Sequence, residues 1–275
     1  MRTNIDWRRV AAPQEDGYDT EIVLDFIKQS QAYNQSFKTY RHEERPEGFA
    51  FDGQVGINKV TDYTMDRFTD APADHSNIKK AADLLNVWPA VYRQFPKIVH
   101  TIHPWIDKTI EGNSLGSCSH SLDHLLGVIY ATVNNEHGLA QAYVHEMAHN
   151  KLRLLGVMLE STNRFIMNGP TELFESPVRK DRKRPMTAVF HAQYSFMHCT
   201  ALNVLHLDQT QSVAENNVWM VFLKNNLPRM LEGDALLKRC LKLDKEGELL
   251  FEGFFDWSDQ ILKRGAYLLS QENGN

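Results

Sequence analysis

The chain has 275 residues, 42% hydrophobic and 24% charged, enough for one large domain or two small ones around a buried core. Its net charge of -5 gives no electrostatic draw toward nucleic acid or an anionic membrane. Cys118, Cys199 and Cys240 are widely spaced and form no CxxC pair; the opening MRTNIDWRRV has no apolar signal core, and no run nears the ~18 apolar residues of a membrane span, so a cytoplasmic protein without disulfides is expected.

Residues 1–20 are polar and carry no clear pattern. Ile22, Val23, Phe26 and Ile27 are spaced for a helix over residues 20–40. Residues 41–60, with Pro46, Gly48, Gly53 and Gly56, read as loop. Ile78, Ala81, Leu84, Leu85 and Val91 predict a helix over 77–95, limited in regularity by Pro89 and followed by a restart at Pro96. Residues 97–102 and 126–133 are short β-branched runs that read as strands, and the Gly/Ser segment 111–119 between them reads as a loop. A helix is predicted over 138–155, with Gly156 as a stop signal and further helix expected to residue 165. Asn168-Gly169-Pro170 punctuates the chain and residues 176–185 form a basic loop. A second long helix is predicted over 187–207, with others near 211–227, 228–242 and 256–270. There is no internal repeat or long linker.

Inside the helix predicted over 138–155 lies His145-Glu146-Met147-Ala148-His149. Two histidines four apart on a helix put both imidazoles on one face, one turn apart, where they can grip the same cation. Glu146 projects beside the first histidine without having to bind; a general base or a carboxylate behind the ligands would sit there. The expected fold is mainly α with a small β-sheet (α+β), its metal site between the two long helices. It is read as a single domain, 1–275, with a helical N-terminal region (1–105), a metal-site core (106–210) and C-terminal helices (211–275).

A site of this kind needs a third protein ligand and open positions for chemistry. Glu172 lies 23 residues after His149, a separation that suits zinc peptidases with a downstream glutamate. His191 sits on the second long helix, and His198 lies two turns further along it. The basic loop favours His191. Arg179, Arg182 and Arg184 immediately precede its helix, and arginine grips a carboxylate in two-pronged fashion. A metal with an adjacent arginine can hold a 2-oxo acid.

The HExxH helix, the segment Ser176-Pro177-Val178-Arg179, Asp181 and Arg184-Pro185, and then Val189-Phe190-His191-Ala192-Gln193-Tyr194-Ser195-Phe196 together resemble a known family. It is that of the HExxH-type peptide β-hydroxylases, which depend on iron(II) and 2-oxoglutarate. The seven-residue step from Arg184 to His191 matches the family pattern, and Gly116-Ser117-Cys118-Ser119 is similar to its glycine-serine stretch. Val178 stands where the family has an aromatic, and Asp181 lies one residue further from Arg184. The likeness covers about residues 110–205. It implies iron held by His145, His149 and His191, with Glu146 behind them, and 2-oxoglutarate held by Arg184, with Arg179 as a lesser contact. It also implies O2 as co-substrate and hydroxylation of the β-carbon of a residue in a peptide or carrier-bound amino acid, as in peptide natural-product biosynthesis. The rival is a zinc metallopeptidase with Glu146 as general base and Glu172 or His191 completing the site.

Overall fold

A computed structural model of the chain describes residues 4–59, 66–110, 114–159, 164–209 and 212–272. The packing divides it into two compact units: one built from residues 1–22 and 155–275, the other from 23–154. Helix α1 (Trp7–Val10) belongs to the first, and α2 (Tyr18–Ile27) carries the chain from the first into the second.

The second unit opens with α3 (Gln31–Lys38), started by Ser30, whose Oγ accepts from the Tyr33 amide at 3.2 Å. The helix expected over 20–40 is therefore two helices with a capped break at residues 28–30. A π-helical turn, Thr39–Glu43, follows. Next come β1 (Gly48–Ala50) and β2 (Val55–Ile57), an antiparallel pair within the segment expected to be loop. Their turn runs through Phe51, Asp52 and Gly53, all with positive φ (49°, 55° and 81°). Three-residue strands are too short to show an alternating pattern.

Then follow β3 (Phe68–Asp70), α4 (Ser76–Leu84), α5 (Pro89–Ile98), β4 (Thr101–Asp107), β5 (Ser119–His120), β6 (Val128–Thr132) and α6 (Glu136–Leu154). The helix expected over 77–95 is split because Pro89 starts a fresh helix at its first turn. The strand expected over 97–102 begins only at Thr101, because Lys97 and Ile98 finish α5 and Pro96 lies inside that helix.

The sheet order is β1-β2-β4-β6-β5, with β3 also against β4. β2, β4 and β6 run parallel and the other pairs antiparallel. Parallel strands covered on both faces become continuously apolar, and Val128, Ile129 and Ala131 are all fully buried. Pro104 sits within β4 without breaking it. Its carbonyl accepts from Ala71, so its missing N–H falls on the side where β2 pairing has ended and β3 pairing begins. α6 packs on α4, α5, β5 and β6.

The first unit resumes after α6. Gly156 takes φ +93° and ends the helix, so helix does not extend to residue 165; residues 160–163 lie outside the described residues. A two-stranded ribbon, β7 (Leu173–Phe174) with β8 (Arg184–Pro185), precedes α7 (Met186–Gln209), α8 (Val213–Cys240) and α9 (Lys245–Glu272). α8 runs unbroken through Pro228, where the sequence pattern placed a boundary. Buried Leu227 and Met230 flank the proline, and their packing offsets the hydrogen bond it removes. α7, α8 and α9 pack on one another, and α1 lies against α9. Their core includes Phe190, Trp219, Leu223, Phe251 and Phe254. The fold is mainly α with a small mixed sheet, as expected. Among the described residues no helix is long and apolar enough to cross a membrane, and the three cysteines are free thiols.

Candidate metal centre

α6 is placed by contacts at its start. Asn135 Oδ1 accepts from the Gly138 amide at 2.9 Å, the capping geometry of a helix N-terminus. A Cβ on Gly138 would stand 2.9 Å from the Leu115 carbonyl oxygen, so only glycine lets the segment before β5 cross here. Tyr143, Val144, Met147 and Ala148 are fully buried.

His145 and His149 emerge partly buried from one face, as predicted. Their Nε2 atoms lie 3.1 Å apart, with ring planes at 79°. Two nitrogens bound to one cation at about 2.0–2.1 Å in neighbouring positions stand roughly 3 Å apart, so the pair fits a shared metal. Burial holds the His145 imidazole below its ordinary pKa, helped by the Arg153 cation and opposed by Glu146. The neutral ring is the form that binds metal.

Glu146 faces away from that pair. It is 2% exposed, and each carboxylate oxygen is taken by a serine: Ser119 Oγ donates to Oε1 at 2.8 Å and Ser121 Oγ to Oε2 at 2.6 Å. Arg153 Nη1 donates to Ser121 Oγ at 2.7 Å, and its Nε pairs with Asp123 at 2.6 Å. The sequence reading did not single out Ser121, Arg153 or Asp123. The available signal was Ser119-His120-Ser121, whose alternation along an extended segment puts both hydroxyls on one side.

The remaining candidates belong to the other unit. His191 on α7 is fully buried, and its Nε2 donates to the Val157 carbonyl at 2.7 Å. A ligating histidine commonly donates its other ring N–H to a carbonyl, so His191 in this state would ligate through Nδ1. His198, also fully buried, is bonded through Nδ1 to the Tyr194 carbonyl at 2.8 Å. Glu172 is occupied by Lys242 at 2.5 Å and the Gly169 amide at 2.9 Å, with Asn168 at 3.3 Å. Lys242 above all holds its carboxyl below the usual range.

Arg179 is exposed and pairs with Asp181 at 3.4 Å. Arg184, pinned by β7–β8 pairing just before α7, is 18% exposed and reaches Asp181 only at 3.6 Å. Its Nε is buried and has no hydrogen-bond partner among the described residues. A buried guanidinium N–H without an acceptor costs about 1–3 kcal/mol or more, and carboxylate is the group that best satisfies it.

The structure thus brings together His145 and His149, with Glu146 behind them, and separately sets Arg184 beside Asp181 ahead of the helix bearing His191. Among the described residues no group of three or more His, Cys, Asp or Glu side chains is gathered in a metal-holding arrangement. Comparison with known proteins finds no matching family model and no matching curated protein.

Proposed function

We propose that the protein is an iron(II)- and 2-oxoglutarate-dependent oxygenase that hydroxylates the β-carbon of an amino-acid residue in a peptide or carrier-bound substrate. Arg184 carries this reading: a largely buried guanidinium with an unsatisfied Nε asks for an anionic, planar acceptor, and the distal carboxylate of 2-oxoglutarate is one. Iron(II), when bound, supplies the activation of O2 that no side chain provides. His145 and His149 would hold it, with His191 as the proposed third ligand, and imidazole suits iron and zinc alike. Arg184 would orient the cosubstrate, with Asp181 and Arg179 setting the charge around it. The engagement of both Glu146 oxygens argues against a general base aimed at a metal-bound water, as the zinc peptidase alternative requires. Glu172, the alternative's other ligand, is engaged by Lys242.

The test is the apparent KM for 2-oxoglutarate, with succinate formation as the assay and iron content measured in parallel. Arg184→Ala should raise it roughly 10- to 150-fold, the equivalent of about 1.5–3 kcal/mol for a charge-assisted contact. Arg184→Lys should restore only part, since an ammonium cannot reproduce the fork. Unchanged cosubstrate affinity would overturn the proposal. Chelator-sensitive peptide cleavage by a one-zinc form would put the peptidase in its place.

A further inference from the structure

We propose that Ser119, Ser121 and Arg153 are positioning residues that fix the rotation of α6 about its own axis, and so the direction in which His145 and His149 present their Nε2 atoms. The observation is the pattern of contacts along α6. At about 100° per residue, His145 and His149 lie roughly 40° apart on one face. Glu146, Asn150 and Arg153 form a second stripe about a quarter-turn away. All three members of that stripe are tied to the segment that runs from β5 to β6. Glu146 takes Ser119 and Ser121. Asn150 Oδ1 accepts from the Gly127 amide at 2.8 Å, while its Nδ2 donates to the Glu146 carbonyl at 2.9 Å. Arg153 holds Ser121 and Asp123.

The hydrogen-bond direction in this chain is forced. A guanidinium only donates, so Ser121 Oγ accepts from Arg153 and must give its single proton to Glu146. From Arg153 through Ser121 to Glu146 the order is therefore polarised one way, with a charge on each side of the serine, while Arg153 donates separately to Asp123. Apolar packing alone tolerates small rolls of a helix; three directional contacts spread along about 10 Å of axis do not. The magnitude matters. A roll of about 20° would keep the two ring nitrogens in register with each other but carry both, some 6–7 Å from the axis, through about 2 Å relative to any ligand outside α6, against a tolerance of about 0.2 Å in metal–ligand distances. Satisfying a buried carboxylate would need only donors. It would not need three attachments in one stripe beside the histidine face.

The inference rests on the reading of His145 and His149 as metal ligands only for its effect on cation binding, so the experiment has two arms. In the first, amide hydrogen exchange of the metal-free protein reads the protection of the Gly127 N–H, which Asn150 on α6 holds only while the helix keeps its rotation. In the second, cobalt(II) is titrated and its visible spectrum followed. The decisive variant combines Ser119→Ala, Ser121→Ala and Glu146→Met, which removes the carboxylate together with its donors and so strands no buried carboxylate, while Arg153 keeps its pair with Asp123. It should fold, lose protection at the Gly127 N–H although Asn150 is intact, and bind cobalt at least about tenfold more weakly, the usual scale for groups behind metal ligands. Ser121→Ala alone should give a smaller loss, restored by Ser121→Thr; if the triple variant does not fold, this pair decides. A folded triple variant, or Ser121→Ala, with wild-type protection at the Gly127 N–H overturns the proposal. A wild-type protein that binds no cobalt sinks the metal reading instead, while the first arm still decides the role of the serines.

Discussion

His145, His149 and His191 differ in surroundings although each is a helix histidine. The first two face each other across 3.1 Å, and the third donates to a backbone carbonyl. His145→Ala or His149→Ala should each leave less than one-tenth of the iron bound by wild type, as measured by elemental analysis after gel filtration. If His191 is the third ligand, His191→Ala should match them. Glu172→Gln should keep the metal, because its partners are Lys242 and the Gly169 turn; it should leave the melting temperature nearly unchanged, since an exposed pair contributes little. Metal lost from Glu172→Gln but kept by His191→Ala would restore the peptidase geometry. The histidine pair was legible in the sequence because helical spacing alone dictates it. The partners of Glu146 were not, since Ser119 and Ser121 approach from a strand 25 or more residues away. Arg184 stood out as a basic residue before a helix, but the burial of its Nε, without a partner among the described residues, is encoded by no local pattern.

Among the elements, α6, α7 and β6 were legible because each is long enough, or apolar enough, for its own residues to decide. The β1–β2 hairpin was hidden because three-residue strands exist only by pairing, and Pro104 disguised β4 until its neighbours showed why no N–H is needed there. The same strand carries a pH-dependent stability. His100, just before β4, is 2% exposed and bonded to Thr101, Ser36 and the Leu126 carbonyl. Burial first, then the nearby Arg41, lowers its pKa to about 3, against the carbonyl bond that raises it. A base lowered on folding takes up its proton more readily when unfolded. Its stabilisation is therefore complete above about pH 6.5 and is lost as pH falls below that value. The loss from His100 should reach about 2 kcal/mol by pH 5. Urea midpoints at pH 7.5 and pH 5 should thus converge in His100→Gln, which lowers stability at both but removes this share of the slope. An undiminished slope would show that His100 is protonated in the folded state.

At the scale of the whole molecule, the first unit is assembled from both ends of the described chain. Trp7 on α1 is 2% exposed, packs edge-on against Phe165 at 5.0 Å and lies under Arg164 at 4.5 Å. Its indole N–H donates to Glu246 at 3.1 Å. Gly253 on α9 permits this docking, because a Cβ there would meet the Arg8 carbonyl oxygen at 2.0 Å. Gly253→Ala should cost about 1–3 kcal/mol, the scale of overpacking, and should shift Trp7 emission to the red as α1 lifts. An unshifted spectrum with an unchanged melting temperature would contradict the close packing. The division at Ile22 and Leu155 also orders events during synthesis. Residues 23–154 are all available to fold, with His145 and His149 among them, while most of the first unit has yet to be made. At roughly 5–20 residues per second, His191 follows His149 from the ribosome by several seconds, and α9, which ends at Glu272, comes later still. The nascent chain therefore passes through an interval in which two imidazoles stand one helical turn apart before the arginine loop and α7 exist; under the proposed function, the cation first captured would be chosen by a two-nitrogen chelate and not by the finished protein.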